Sequence, residues 1–279
     1  MIEKREFYIN GQWVAPSKPN DFEVIDPSTE EPCAIISLGS EADTNAAVAA
    51  AKAALPGWMY RPAEERIAYV EKLIEVYKTR GEDIAQAISA EMGAPIDMSR
   101  TQQVGAGLYH LSNFLRAAKS FQFEKPLGSH APNDRILMEA VGVVAMITPW
   151  NWPMNQITLK VGAAAVAGCT MVLKPSEQSP LNAMIFAEIC TQAGVPSGVV
   201  NIVTGPHADL GATIADHMDV DAIWSFSSTA PSDDLERRSA GNLKRTWLNQ
   251  GHARDWFSRD GEGRAFLQQS TEVKNIWVP

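Results

Sequence analysis

The chain has 279 residues, 45% hydrophobic and 20% charged, which is enough to bury one large domain or two modest ones and excludes a disordered tail. Lys and Arg total 24 against 33 Asp and Glu, and the resulting charge of −9 argues against a general polyanion binder. The three cysteines, Cys33, Cys169 and Cys190, are far apart and odd in number, which is neither a disulfide framework nor a zinc pattern and suits a reducing, cytoplasmic setting.

The charged start MIEKREFYIN has no apolar core, so no secretory signal is read there, and no apolar run along the chain is long enough to span a membrane. Within 7–14, Asn10 and Gly11 between two β-rich runs predict a hairpin, and 24–31 reads as a turn. Ser40 with Asp43 resembles a capping box ahead of an Ala-rich helix over 41–55. Pro62 begins a second helix, in which Ile67, Val70, Ile74 and Tyr77 recur at steps of three and four. A third helix covers 82–92 and stops at Gly93; a fourth covers 98–118. Residues 119–140 suggest a β-hairpin with a turn at 127–134.

From 141 the texture changes. Residues 141–148 form a continuous apolar run, as in a strand buried on both faces. Strand starts at 141, 170, 199 and 222 alternate with helices over 154–167, 180–193 and 208–217. That is the spacing of βαβ units laid into one parallel sheet. Beyond 227 the composition turns polar with no clear strand–helix alternation, and the expected boundary lies near 228–235.

Ligands of an open parallel sheet bind beyond the carboxyl ends of its strands, so the residues after each strand are the candidates. After the first come Thr148, Pro149, Trp150 and Asn151. The Asn151 amide can donate to an oxyanion, although on composition alone a helix-capping Asn is the commoner arrangement. After the second come Lys174, Ser176 and Glu177. Lys and Glu three apart at a strand end can both hydrogen-bond ribose hydroxyls, and the carboxylate repels a 2′-phosphate, favouring NAD over NADP; a capped turn with two solvated charges is the plainer alternative. After the third, Gly205 allows close backbone approach and His207 is read as a solvated loop histidine. After the fourth, Ser228 is a candidate phosphate contact, or simply part of a Ser/Thr turn. Gly105-Ala106-Gly107 lies inside a predicted helix and is discounted as a dinucleotide motif.

In this order and at these spacings, ITPWNWP (147–153), LKPSEQSP (173–180), GVPSGVVNIVTG (194–205) and FYINGQWV resemble the aldehyde dehydrogenase superfamily, from about residue 5 to about 226. The resemblance implies an α/β fold. Its parts are a Rossmann-like parallel sheet with flanking helices (1–227), a small β-hairpin oligomerisation arm at about 119–140, and an atypical tail over 228–279. It also implies NAD-dependent oxidation of an aldehyde through a cysteine thiolate, with a glutamate activating water. Carried over by position, Asn151 holds the oxyanion, Lys174 and Glu177 hold the adenine ribose, and Ile147, Thr148, Pro149 and Trp150 wall the cofactor cleft, with Ser176, Gly205, Phe226 and Ser228 nearby.

Several positions depart from that pattern. Phe226-Ser227-Ser228-Thr229 lacks the family's turn glycine, and His207 stands where a second glycine is usual. Asn249 occupies the place of the general-base glutamate, and an amide cannot take up the water's proton at neutral pH. No cysteine follows Cys190, so the nucleophile is missing. The segments GNLKRTW, ARDW and VKNIWVP resemble the closing part of long, two-module family members. The expectation is a nucleotide-binding region with its catalytic region absent, inactive on aldehydes by itself. The alternatives are a non-catalytic binding or assembly subunit, as a homo-oligomer or paired with a full-length relative, and a truncated product without function.

Overall fold

A computed structural model describes residues 1–252, 255, 256, 258, 261 and 263–278. After β1 (Ile2–Lys4), a hairpin joins β2 (Phe7–Ile9) to β3 (Gln12–Val14) through Asn10 and Gly11, whose φ angles of 52° and 75° are what a two-residue primed turn requires. A second hairpin, β4 (Asp21–Asp26) and β5 (Glu31–Ser37), takes β1 parallel to β5 to form a small sheet. Helices follow where periodicity predicts them: α1 (Glu41–Met59), α2 (Ala63–Thr79) and α3 (Gly81–Met92). The capping box at α1 is present, with the Ser40 N–H donating to the Asp43 carboxylate at 2.8 Å.

The predicted helix over 98–118 is a composite. A single turn, α4 (Ile96–Met98), passes through a π-helical stretch (Ser99–Gln103) into α5 (Val104–Ser120). The predicted hairpin is β6 (Glu124–Gly128) with β7 (Ala131–Ala140), and its turn is tighter than expected, at 129–130.

The alternating series is β8 (Val143–Ile147), α6 (Pro153–Ala167), β9 (Thr170–Lys174), α7 (Leu181–Gln192), β10 (Val200–Ile202), α8 (His207–Asp216) and β11 (Ala222–Ser225). It does not end at 227, which corrects the sequence reading. Helix α9 (Thr229–Ser239) leads to β12 (Arg245–Leu248), which pairs parallel to β11. The continuation was hidden because α9 buries only Ser232, Leu235 and Ser239, and β12 is four half-buried residues with two polar among them. The chain closes with α10 (Gly263–Gln269) and β13 (Thr271–Ile276), the latter pairing antiparallel along β7. The first two residues of ARDW and the last of VKNIWVP lie outside the described residues.

The large sheet has the order β12-β11-β8-β9-β10-β2-β3, with the first five strands mutually parallel and β2 antiparallel to β10. Strand β8 is central among the five parallel strands, and successive strands leave it in opposite directions, so the order reverses between β8 and β11. Alternation along β8 divides the core. Val144 and Met146 face the layer of α5, α6 and α7, whereas Val143, Ala145 and Ile147 face α1 and α8. Helix α6 is buried along its whole length, which explains its small and apolar composition. Among the described residues no helix is long and apolar enough to cross a membrane.

Candidate functional site

The carboxyl edge of the parallel strands gathers most of the sequence candidates. After β8, Thr148 is buried and its N–H donates to the Lys174 carbonyl at 3.1 Å, tying the first loop to the second. Ser179 Oγ donates to the Trp150 carbonyl at 3.0 Å, a second tie, and leaves the Trp150 ring 52% exposed. Pro149 and Pro153 limit the turn from both sides, and Pro153 occupies the first turn of α6. Between them Trp152 takes φ 54°, a left-handed conformation that a bulky residue adopts only at a cost in strain. This bend leaves Asn151 exposed at the edge of the sheet. Ile147 is buried in the core below and faces α1 and α8.

Beyond β9, Lys174 Nζ pairs with Glu177 at 3.2 Å. Burial lowers the Lys174 pKa below its ordinary value, and the Glu177 charge opposes that shift. Ser176 Oγ accepts from the Gln178 N–H at 3.2 Å and stabilises the turn. His207, at the start of α8, is half-buried near both charges. Its pKa is lowered by burial first and by Lys174 second, so it is not the freely solvated histidine expected from sequence.

Gly205 also needs correction. A Cβ there would meet Leu210 Cδ1 at 2.5 Å, so the close approach is made by the protein's own packing where the sequence reading reserved it for a ligand. Ser228 is exposed and precedes α9, and its carbonyl accepts from Ser232 Oγ at 2.8 Å. Phe226 turns into the core. Its ring lies 5.2 Å from that of Trp247 and 6.0 Å from that of Trp256, with Lys160 Nζ 4.4 Å from its centroid. Asn249 follows β12; its N–H donates to the Ser225 carbonyl at 3.4 Å and its Nδ2 to the His252 carbonyl at 3.0 Å.

On the α5 side, Asn151 lines a cavity of about 510 Å³. Its aromatic walls are Tyr109, His110, Trp152 and Trp256, and side-chain amides come from Gln102, Asn151, Asn155 and Gln156. The π-helical stretch carries Gln102, and the C-terminal segment supplies Trp256. Just beneath, the fully buried Lys160 donates to Gln156 Oε1 at 2.7 Å and to the Gln156 carbonyl at 3.3 Å. Burial pushes the His110 pKa down to about 4, so its ring is neutral at pH 7. Sequence reasoning missed this cavity. The available signal was Lys160, a charge inside a helix of otherwise small, apolar and uncharged residues, which invites the question of what it serves.

The three thiols are elsewhere. Cys169 and Cys190 are wholly buried, and desolvation raises both pKa values, that of Cys169 to about 12. Cys33 Sγ is half-buried and lies 3.3 Å from the Val24 carbonyl.

Comparison with known proteins gives a consistent result. Residues 13–255 match the aldehyde dehydrogenase family. A 3-succinoylsemialdehyde-pyridine dehydrogenase from a Pseudomonas species is 40% identical over 252 residues, which cover 90% of this chain and 52% of that protein. The crystal structure of an aldehyde dehydrogenase from Bartonella henselae superposes with a TM-score of 0.87 at 49% identity, covering 89% of this chain and 52% of that one. An aldehyde dehydrogenase C mutant from Pseudomonas syringae, solved with NAD+ and octanal, superposes with a TM-score of 0.84 at 41% identity, covering 88% and 50%. The chain therefore spans about half the length of the relatives it matches.

Proposed function

The chain belongs to the aldehyde dehydrogenase family, and from that premise we propose that it binds NAD in preference to NADP at the carboxyl edge of its parallel sheet and does not oxidise aldehydes by itself. The observation that carries the nucleotide reading is the Lys174–Glu177 pair at the end of β9. An ammonium donor beside a carboxylate acceptor suits the two hydroxyls of a ribose, and the carboxylate disfavours a 2′-phosphate. The likeness to an enzyme solved with NAD+ supports the same assignment. Ile147, Thr148, Pro149, Trp150, Ser176, Gly205, Phe226 and Ser228 complete the proposed cleft, Ile147, Gly205 and Phe226 from within its walls. When bound, the nicotinamide is the group that accepts hydride.

Asn151 is the proposed oxyanion donor for an aldehyde in the adjoining cavity, because it stands at the proline-bounded turn bordering that space. The deficiency rests on two positions. No cysteine stands among the described residues lining the cavity, and Asn249 offers an amide where proton abstraction needs a carboxylate. Aldehyde turnover thus awaits a catalytic region supplied from outside residues 1–279. In this reading residues 1–227 carry the nucleotide site and 228–279 close its sheet and cavity. Free thiols without a disulfide fit a cytoplasmic setting.

A second reading, an assembly subunit, is favoured by the sheet of order β13-β7-β6. Among the described residues its outer strands, β6 and β13, pair on one side only and offer their other edges to another copy or to a full-length relative. Differential scanning fluorimetry with NAD tests the first reading, since a ligand bound to the native state raises its melting temperature. Sedimentation analysis tests the second, and a monomer at all concentrations, alone and mixed with a relative, overturns it.

A further inference from the structure

We infer that the cavity beside Asn151 selects a neutral, single-ring aromatic aldehyde over aliphatic or carboxylated ones. The inference rests on the proposal that this cavity is the aldehyde site. Its argument is the chemistry of the walls. Tyr109 on α5, Trp152 at the bend before α6, and Trp256 of the C-terminal segment present three large rings to one space of about 510 Å³. The His110 ring adds a fourth, with centroids 5.4 Å from Tyr109 and 6.3 Å from Trp256. Flat aromatic walls gain edge-to-face and offset-stacked contacts with a planar guest, which a flexible alkyl chain cannot return. A chain also loses rotamer freedom on entry, whereas a ring does not.

Charge points the same way. The other described lining residues are Gly105, Ala106 and four amides, and none of them carries a full charge. His110 is neutral at pH 7, so it gives no cation to a carboxylate. A carboxylated aldehyde would leave water for a space whose described lining carries no full charge, the Lys160 ammonium beneath it being engaged by Gln156, and that transfer is costly. Asn155 and Gln156 lie in the first turn of α6 just after Asn151, so the polar end of a guest belongs at that end and its ring among the aromatic walls.

The test uses the whole 279-residue protein and unreactive amides that mimic the aldehyde carbonyl: benzamide, hexanamide and 4-carbamoylbenzoate. Isothermal titration calorimetry is expected to show benzamide binding about tenfold tighter than either of the others. Tyr109→Ala weakens benzamide about tenfold and leaves hexanamide nearly unchanged. Gly105→Phe is the second variant, because a Cβ at Gly105 meets nothing within 4 Å and the new ring can fill the cavity without disturbing the helix. It abolishes benzamide binding while the melting temperature holds. Equal or tighter binding of hexanamide or 4-carbamoylbenzoate, no binding of any amide, or benzamide binding indifferent to both substitutions overturns the inference. NAD titration of the same sample keeps the two readings apart: NAD binding without benzamide binding sinks only this inference, and the reverse sinks only the nucleotide site.

Discussion

Lys174 Nζ stands 3.2 Å from the Glu177 carboxylate at the carboxyl end of β9, the lysine side chain 2% exposed and the glutamate 27%. The pair is half sunk into the protein. The lysine is held by its buried stem and the glutamate reaches it from the solvent side. Three residues apart in sequence, the two side chains meet where the chain turns at Glu177 and Gln178, with Ser176 Oγ accepting the Gln178 N–H.

The first prediction follows from that pair. At a concentration ten times its dissociation constant, NAD should stabilise the protein by about 1.4 kcal/mol. That corresponds to a rise of a few degrees in melting temperature, at about 2–4 °C per kcal/mol for a chain near this size. Lys174→Met should remove the shift. Glu177→Gln should narrow the NAD preference, because it withdraws a repulsion with the 2′-phosphate worth about 1–4 kcal/mol at contact distance. Fluorimetry with NAD and NADP on the three proteins reads all of this, and an unchanged preference in Glu177→Gln refutes the ribose assignment.

The second prediction concerns chemistry. Purified protein with NAD and a panel of aldehydes should form no NADH above a no-protein control. Asn249→Glu restores a carboxylate after β12 yet should remain inactive, because general-base help cannot act without a thioester to hydrolyse. Turnover in the native chain that disappears in Asn151→Ala refutes the proposed deficiency.

A third prediction comes from a group that neither reading uses. The fully buried Glu91 carboxylate accepts the Leu181 and Asn182 N–H groups at 2.6 and 3.2 Å and Asn182 Nδ2 at 2.6 Å, closing the start of α7 from α3. Burial outweighs these donors and pushes its pKa up to about 7. The native state then holds a proton that the unfolded chain releases near its ordinary carboxyl pKa. Stability from this group is therefore fully present at low pH and is lost as pH rises through about 7, by roughly 3 kcal/mol at 1.36 kcal/mol per unit. Urea titrations of native protein and Glu91→Gln across pH 4–8 should show the native slope flattened in the variant. Parallel profiles refute the raised pKa.

How much of this could be read from sequence varied with how local the cause was. The Asn10-Gly11 hairpin, the Ser40–Asp43 cap and the helix stop at Gly93 are decided within a few residues, and each stands where the pattern placed it. Strands β8 to β11 were legible because each is wholly buried and thus continuously apolar. Strand β12 was not, since an edge position leaves all four of its residues half-buried. The cavity was harder still. Tyr109, Trp152 and Trp256 lie on three separated segments, and only tertiary packing brings their rings to one space. His207 and Gly205 read differently from sequence for a related reason: their neighbours, Lys174 and Leu210, come from the end of another strand and the next helix.

The last prediction asks whether the C-terminal segment shares the fold's cooperativity. Phe266 of α10 is fully buried, with its ring 4.6 Å from that of Trp247 on β12 and 5.2 Å from that of Phe114 on α5. Trp224 on β11 completes the cluster at 6.2 Å. Gly263, one turn earlier, packs so tightly that a Cβ there would lie 2.7 Å from the Ala117 methyl. One side chain thus joins the tail to the sheet and to the helix that walls the cavity. Phe266→Ala should cost about 3–5 kcal/mol, the usual loss for emptying a buried aromatic site. If the tail and the body are one unit, that loss lowers a single unfolding transition, seen alike by tryptophan fluorescence and far-ultraviolet dichroism. If the tail folds separately, the fluorescence transition moves first and the dichroism midpoint stays in place. The second pattern would divorce 228–279 from the sheet and remove the structural basis for Trp256 as a wall of the cavity.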